Sequence, residues 1–195
     1  SIIDTNKIAI YFDRMIDTAG SPISIVFNPP LNVTINVQSN PSQGFIATVS
    51  PAFDSSIIYS VTVYGVKSCE GYTAGPISFS FVIGFKPEKF DVLITEIMAD
   101  PWPPVSLPNS EYVELFNKTS KPVNLSGCII TDNTTNGIIE NAYLLPGEYA
   151  VCVPSSNAPL FTQYGKVISV ATFPALNNDG DNISLQCLSL IHISE

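Results

Sequence analysis

The sequence is poor in positive charge: 8 Lys and Arg among 195 residues, one arginine (Arg14) and one histidine (His192), against 17 Asp and Glu. Nucleic-acid binding is largely phosphate neutralisation by clustered Lys and Arg, so this scarcity argues against it, and equally against an anionic membrane surface. The acidity is uneven. Residues 1–88 carry 4 basic and 6 acidic groups, and residues 89–195 carry 4 and 11. No run approaches the roughly 20 uninterrupted apolar residues of a membrane-spanning helix. The four cysteines, Cys69, Cys128, Cys152 and Cys187, nowhere fall at the close spacing of a zinc motif. A Gly-rich phosphate loop is absent too.

Both ends read as cut. Ser1 is no initiator, and the last eight residues, LSLIHISE (188–195), resemble the in-frame translation of a transposon-end adapter used to build sequencing libraries. On that reading the natural chain has no histidine, since His192 lies in this tail. Catalysis of the Ser-His-Asp or Cys-His kind then lacks its base.

What remains is the vocabulary of strands and turns. Val, Ile, Thr, Tyr and Phe dominate, 45% of residues are hydrophobic, and 16 prolines and 11 glycines separate short apolar runs. In the first half, period-two alternation marks strands over Lys7–Phe12, Leu31–Val37, Phe45–Val49, Ile57–Tyr64 and Ile77–Ile83. Turn residues every 8 to 12 positions suit a β-sandwich. Residues 84–90 (GFKPEKF), charged and Pro-containing, mark a boundary too short for a flexible tether. Asn157–Tyr164 is the one segment expected to make a short helical turn.

Two stretches carry resemblances. The segments IAIYFDRMIDTAG, GFIATVSPAFDSSIIYSVTVYGVKSCEGYT and ISFSFVIG, within residues 1–84, resemble the Ig-like domain of bacterial surface-layer proteins. In the second half, DVLITEIMADP (91–101), NSEYVELFNKTSKPVNLSGCIITD (109–132), YLLPGEYAVCV (143–153) and FPALNNDGDNISL (173–185) are similar to the lamin-tail domain. That resemblance implies an immunoglobulin-type sandwich, found in nuclear lamins and in many secreted bacterial proteins. In the latter it accompanies Ig-like modules and sometimes extracellular nucleases or phosphoesterases. Cys128 stands where that family often has Trp, and the segment after Leu185 departs from the family pattern, which implies a missing final strand.

The candidate constellations each have a plain structural alternative. Glu111 and Glu114 lie on one strand at a spacing that points them to opposite faces, so they do not form a glycosidase-type pair. Glu96 could face Glu114 across a sheet, where each accepts hydrogen bonds from backbone or lysine at a sandwich edge, or the two share a cation, or they act in acid-base catalysis. Asn177–Asn182 (NNDGDN) clusters side-chain oxygens suited to calcium, or forms a hairpin turn at Asp179-Gly180. Trp102, the sole tryptophan, sits among the four prolines of Pro101–Pro108. It either caps an open end of the sandwich or offers an exposed contact for a ligand such as carbohydrate. Cys128 and Cys152 could pair in an oxidising compartment or be two buried thiols. Lys7, Lys67 and Lys166 lie in no recognisable catalytic motif. Five Asn-x-Ser/Thr sequons, at Asn32, Asn117, Asn124, Asn133 and Asn182, are expected from composition alone.

The sequence therefore predicts an all-β chain of two tandem immunoglobulin-like β-sandwiches. The first is a bacterial Ig-like domain over 1–84. A linker over 85–90 leads to a truncated lamin-tail-like domain over 91–187, with 188–195 as an adapter remnant. The expected role is a non-catalytic structural or adhesive module of a large secreted or cell-surface bacterial protein. The alternative is an accessory ligand- or calcium-binding module of an extracellular hydrolase or nuclease. No catalytic, cofactor-binding or metal-ligating residue is assigned and no cofactor is expected. The expected partners are neighbouring domains of the same polypeptide and a cell-surface protein or carbohydrate.

Overall fold

Alternating apolar and polar residues commit the chain to strands, because successive side chains of a strand point to opposite faces. In the computed structural model this holds over the described residues, 2–20, 22–37, 39–104 and 106–187. The tail 188–195, with His192 and the adapter reading, lies outside them. The chain divides into two units, Ser1–Ile83 and Gly84–Glu195. Among the described residues it is all-β apart from one four-residue helix.

The described residues of the first unit form seven strands: β1 (Ile2–Asp4), β2 (Lys7–Ile16), β3 (Ser24–Asn28), β4 (Asn32–Asn36), β5 (Ser42–Ser50), β6 (Tyr59–Tyr64) and β7 (Ile77–Phe81). They form two antiparallel sheets, ordered β1-β2-β5-β4 and β3-β6-β7. The inward residues of both belong to one core: Ile8, Ile10, Phe45, Ala47 and Val49 from the first sheet, Phe27, Tyr59, Val61 and Val63 from the second. Rings fill its centre. Phe53 lies 5.1 Å from Tyr59, 5.2 Å from Phe81 and 5.8 Å from Phe27 between ring centroids. The outward face of β6 and β7 is polar, with Ser60–Ser80 and Thr62–Ser78 hydroxyl pairs crossing the strands. Strand β3 has no counterpart among the sequence-predicted strands; its SIVFN run is short and lies between Pro22 and the Pro29-Pro30 pair.

The second unit contains β8 (Val92–Met98), β9 (Tyr112–Asn117), β10 (Val123–Asn124), β11 (Ile129–Thr131), β12 (Asn136–Ile138), β13 (Tyr143–Leu144), β14 (Tyr149–Pro154), α1 (Ala158–Phe161), β15 (Val167–Val170) and β16 (Ser184–Gln186). Three sheets result, ordered β15-β14-β9-β8, β12-β11-β16 and β10-β13. Among the described strands only β14 and β15 form a parallel ladder; Phe85 and Val123 add an isolated parallel bridge. A parallel pair needs a crossover, and residues 155–166, including the expected helical turn α1, supply it. The core gathers Val113, Leu115, Leu125, Cys128, Ile130, Leu144, Cys152 and Val170 from the sheets and their loops. Gly137 in β12 is required by close packing: a Cβ there would lie 2.7 Å from both the Thr172 carbonyl oxygen and a Val170 methyl.

The segment read from sequence as a linker is tied at its start to the second unit. The Phe85 N–H donates to the Pro122 carbonyl, the Asn124 N–H donates to the Phe85 carbonyl, and Lys86 Nζ donates to the Ser126 carbonyl. At its end, the Lys118 N–H donates to the Asp91 carbonyl at 3.1 Å.

Candidate functional site

The acidic strand pair is the first place where chemistry could gather. Glu96 and Glu114 are direct partners across β8 and β9, and the register shifts between Ile94 and Glu96. This bulge lets Thr95 and Glu96 both approach Glu114. Each carboxylate is held by a hydroxyl: Tyr112 Oη donates to Glu96 Oε1 at 2.6 Å, and Thr95 Oγ1 donates to Glu114 Oε1 at 2.7 Å. Burial, and then the bonded Glu96 carboxylate, push the Tyr112 hydroxyl well above its ordinary pKa. Glu111 points the other way, as the strand period requires, and its Oε2 accepts the Leu176 N–H at 3.1 Å. The sequence anticipated backbone and lysine donors for these acids. Hydroxyls fill that role for Glu96 and Glu114, because Tyr112 shares their sheet face and the bulge places Thr95 beside them.

The lysines considered as bases are otherwise engaged or exposed. Lys166 pairs with Glu148 at 3.0 Å and lies 3.8 Å from the Tyr143 ring centroid; Lys7 pairs with Asp4 at 3.5 Å. Lys67 forms a backbone bridge with Thr73. Arg14 pairs with Glu70 at 2.8 Å and covers the Tyr72 ring.

At Asn177–Asn182 the chain turns, with the Gly180 N–H donating to the Asn177 carbonyl at 3.2 Å and Gly180 at φ +115°. Asp181 Oδ2 accepts from both the backbone N–H and Nδ2 of Asn177, at 3.3 and 3.2 Å. The turn is not a hairpin: β16, which follows it, pairs with β11 rather than with the segment before the turn. Among the described residues no group of three or more His, Cys, Asp or Glu is placed to hold a metal ion.

Trp102 does not cap the fold. It is 70% exposed, the most open of the large hydrophobic residues in its unit. The buried aromatic residues of this region are Tyr112 and Phe161. Tyr112, Val153 and Phe161 form a small buried cluster with Met98 and Leu107 on the outer face of the β9–β14 sheet. Trp102 stands at the rim of a pocket of about 300 Å³ beside this cluster, lined by Met98, Asp100, Leu107, Tyr112 and four prolines.

One residue missed from sequence is Asn117, at the end of β9 and 0% exposed. Its Nδ2 donates to the carbonyls of Lys121, Leu144 and Leu145 at 2.8, 3.1 and 3.0 Å. Its Oδ1 accepts the Thr119 N–H and hydroxyl at 2.9 and 2.8 Å. The Asn117-Lys118-Thr119 sequon is thus an Asx turn that ties the loop after β9 to the end of β13, with no surface for a glycan. Asn followed two residues later by Thr was the available signal.

Residues 86 to 188, just over half of the chain, match the family model described as the lamin tail domain. The chain belongs to the lamin tail domain family. No curated protein and no solved structure matches it. The lamin tail domain is an immunoglobulin-like β-sandwich, consistent with a non-catalytic module.

Within this lamin tail domain the cysteines depart from both expectations for Cys128. It is bonded to Cys187, 59 residues away, and pairs with no other thiol. The register explains the choice: Ile129 pairs with Gln186, so Cys128 and Cys187 stand opposite each other, with Cα atoms 4.3 Å apart. Cys152 belongs to β14 in a different sheet, fully buried, where burial pushes its thiol up to about 12. It is a small core residue with no tendency to ionise. Cys69 is a free, exposed thiol.

Proposed function

We propose that the chain is a non-catalytic structural or adhesive module of a large secreted or cell-surface bacterial protein. In this reading it consists of two tandem immunoglobulin-like sandwiches, a surface-layer-type domain over 1–84 and the lamin tail domain, with residues 85–90 between them. Its partners are neighbouring domains of the same polypeptide and a cell-surface protein or carbohydrate. The observation that carries the reading is the Cys128–Cys187 disulfide between neighbouring strands. Disulfides persist in oxidising compartments and are rare in reducing ones. The test is twofold. Alkylation without reductant followed by mass analysis should find one disulfide, a labelled Cys69, and a Cys152 labelled only after unfolding. Protease treatment of intact source cells should release the protein. Four reactive thiols in a protein confined to the cytosol would overturn the proposal.

The second reading, an accessory module of an extracellular hydrolase or nuclease, is favoured by the exposed Trp102 loop, a surface available for ligand contact. Its calcium variant uses Asn177–Asn182. Metal that binds only the native state stabilises by mass action, so millimolar calcium should raise the melting temperature. Asp179→Ala and Asp181→Ala should each abolish that rise. An unchanged melting temperature would leave the segment as a turn.

A further inference from the structure

The Trp102 pocket presents an unusual balance of hydrogen-bonding groups. Of its nine lining residues, four are prolines (Pro101, Pro103, Pro104 and Pro108), which have no N–H to offer. Two further donors are already used. The Trp102 backbone N–H donates to Asp100 Oδ1 at 3.3 Å, and the Tyr112 hydroxyl donates to Glu96 at 2.6 Å. Among the described residues the lining contains no lysine, arginine or histidine, and no cation pairs with Asp100. What the pocket supplies is one carboxylate, an exposed indole with its single N–H donor, and apolar walls from Met98, Leu107 and the proline rings.

That set is complementary to a ligand that only donates, carries positive charge, and has an apolar stem. An ammonium group has three donors and no acceptor. It gains from a neighbouring aromatic face as well as from a carboxylate, while its methylene stem lies along apolar surface. A sugar fits less well. Its hydroxyls both donate and accept, and the lining has few donors to return. The volume of about 300 Å³ is at the small end for ligand sites and suits a single side chain.

We propose that the pocket formed by Asp100, Trp102, Met98, Leu107 and Tyr112 receives a lysine side chain of a partner protein or peptide. The proposal does not depend on the compartment or host protein argued above. Trp102 is the only tryptophan, so its indole signal reports on this site without ambiguity.

The experiment titrates the full chain with acetyl-Gly-Lys-Gly-amide, following Trp102 fluorescence and its indole N–H resonance. Parallel titrations use acetyl-Gly-norleucine-Gly-amide and methyl glucoside. The lysine peptide should give a saturable change that weakens as salt is raised. Asp100→Asn, on the surface, should weaken it about three- to fivefold, in line with an exposed cation site. Trp102→Leu, read by saturation transfer to the peptide's ε-methylene protons, should weaken it similarly. Because Trp102 is exposed, its loss should leave the amide spectrum of the fold intact, which separates lost binding from lost structure. An equal response to the norleucine peptide, a saturable response to the sugar alone, or no saturable response to lysine would each overturn the proposal.

Discussion

In residues 2–83 the core is built around rings. Phe27, Phe53, Tyr59 and Phe81 form a connected ring cluster of edge-to-face, stacked and tilted contacts, and Phe12 and Phe45 add a further pair. In residues 84–187 the main core has no buried aromatic residue; it is aliphatic, with Cys128 and Cys152. The strands differ in the same sense. Strands β2 and β5 of the first unit run to 10 and 9 residues, whereas β10 and β13 of the second have only 2 each. Long strands bring ladder hydrogen bonds with them and leave a slab that large rings can fill. Short strands leave much of the backbone in loops, whose carbonyls and N–H groups need other partners. In the second unit Asn117 supplies such partners to three carbonyls, and the disulfide adds a covalent tie. The two units thus reach a closed β core by different chemistry: ring packing in one, polar and covalent ties in the other.

The comparison can be broken most severely at the rings. Phe27→Ala should destabilise the first unit by about 3–5 kcal/mol, the usual range for a buried phenylalanine, because it removes side-chain volume and leaves a cavity. Hydrogen exchange of the β6 amides should report the loss. An effect below about 1 kcal/mol would mean that the rings are not what holds this core.

Next in size is the disulfide. Replacing Cys128 and Cys187 together by alanine should lower the stability of the second unit by about 2–4 kcal/mol, because the cross-link restricts a long loop of the unfolded chain. Denaturant unfolding with and without reductant, followed at Trp102, gives the same comparison without mutation. Asn117→Ala comes third. It should lower stability by about 2–3 kcal/mol by leaving buried carbonyls without a donor. Asn117→Asp should be worse still, since it replaces the donor with a carboxylate facing those carbonyls.

The smallest effect is one the two units share. The Asp54 carboxyl lies below its ordinary pKa because it accepts the Ser56 hydroxyl and then its N–H. Asp132 is likewise lowered, by the backbone N–H groups of Thr135 and Thr134. A carboxyl whose folded pKa is depressed contributes stability that is complete above the unfolded value. That contribution is lost as pH falls through the folded value. Both units should therefore weaken between about pH 5 and pH 2, and Asp132→Asn should flatten that dependence in the second unit alone. Denaturant melts at stepped pH check it.

Much of the architecture was legible in advance because period-two alternation is a local signal. Strand β6 appears where Tyr59, Val61 and Val63 alternate with polar residues, and all three are buried. The opposed faces of Glu111 and Glu114 followed from the same rule. The helical turn at 158–161 lies within Asn157–Tyr164, the segment the sequence marked for it. Strand β3, the Tyr112–Phe161 cluster and the exposure of Trp102 were not. Each depends on which distant segment covers a given face, and no local pattern encodes that.

The sequence by itself determined the all-β character, the acidic balance and the membership of the lamin tail domain family, because composition, alternation and ordered motifs are properties of the chain. Only the tertiary structure decided that Cys128 bonds to Cys187 rather than to Cys152. Cysteine positions along a chain say nothing of distance in space. The pairing of β11 with β16 sets two thiols opposite each other, while β14 carries the third into another sheet. The same holds for Glu96. Its hydroxyl donor comes from Tyr112, 16 residues on, and a register shift at Thr95 aligns the two acids.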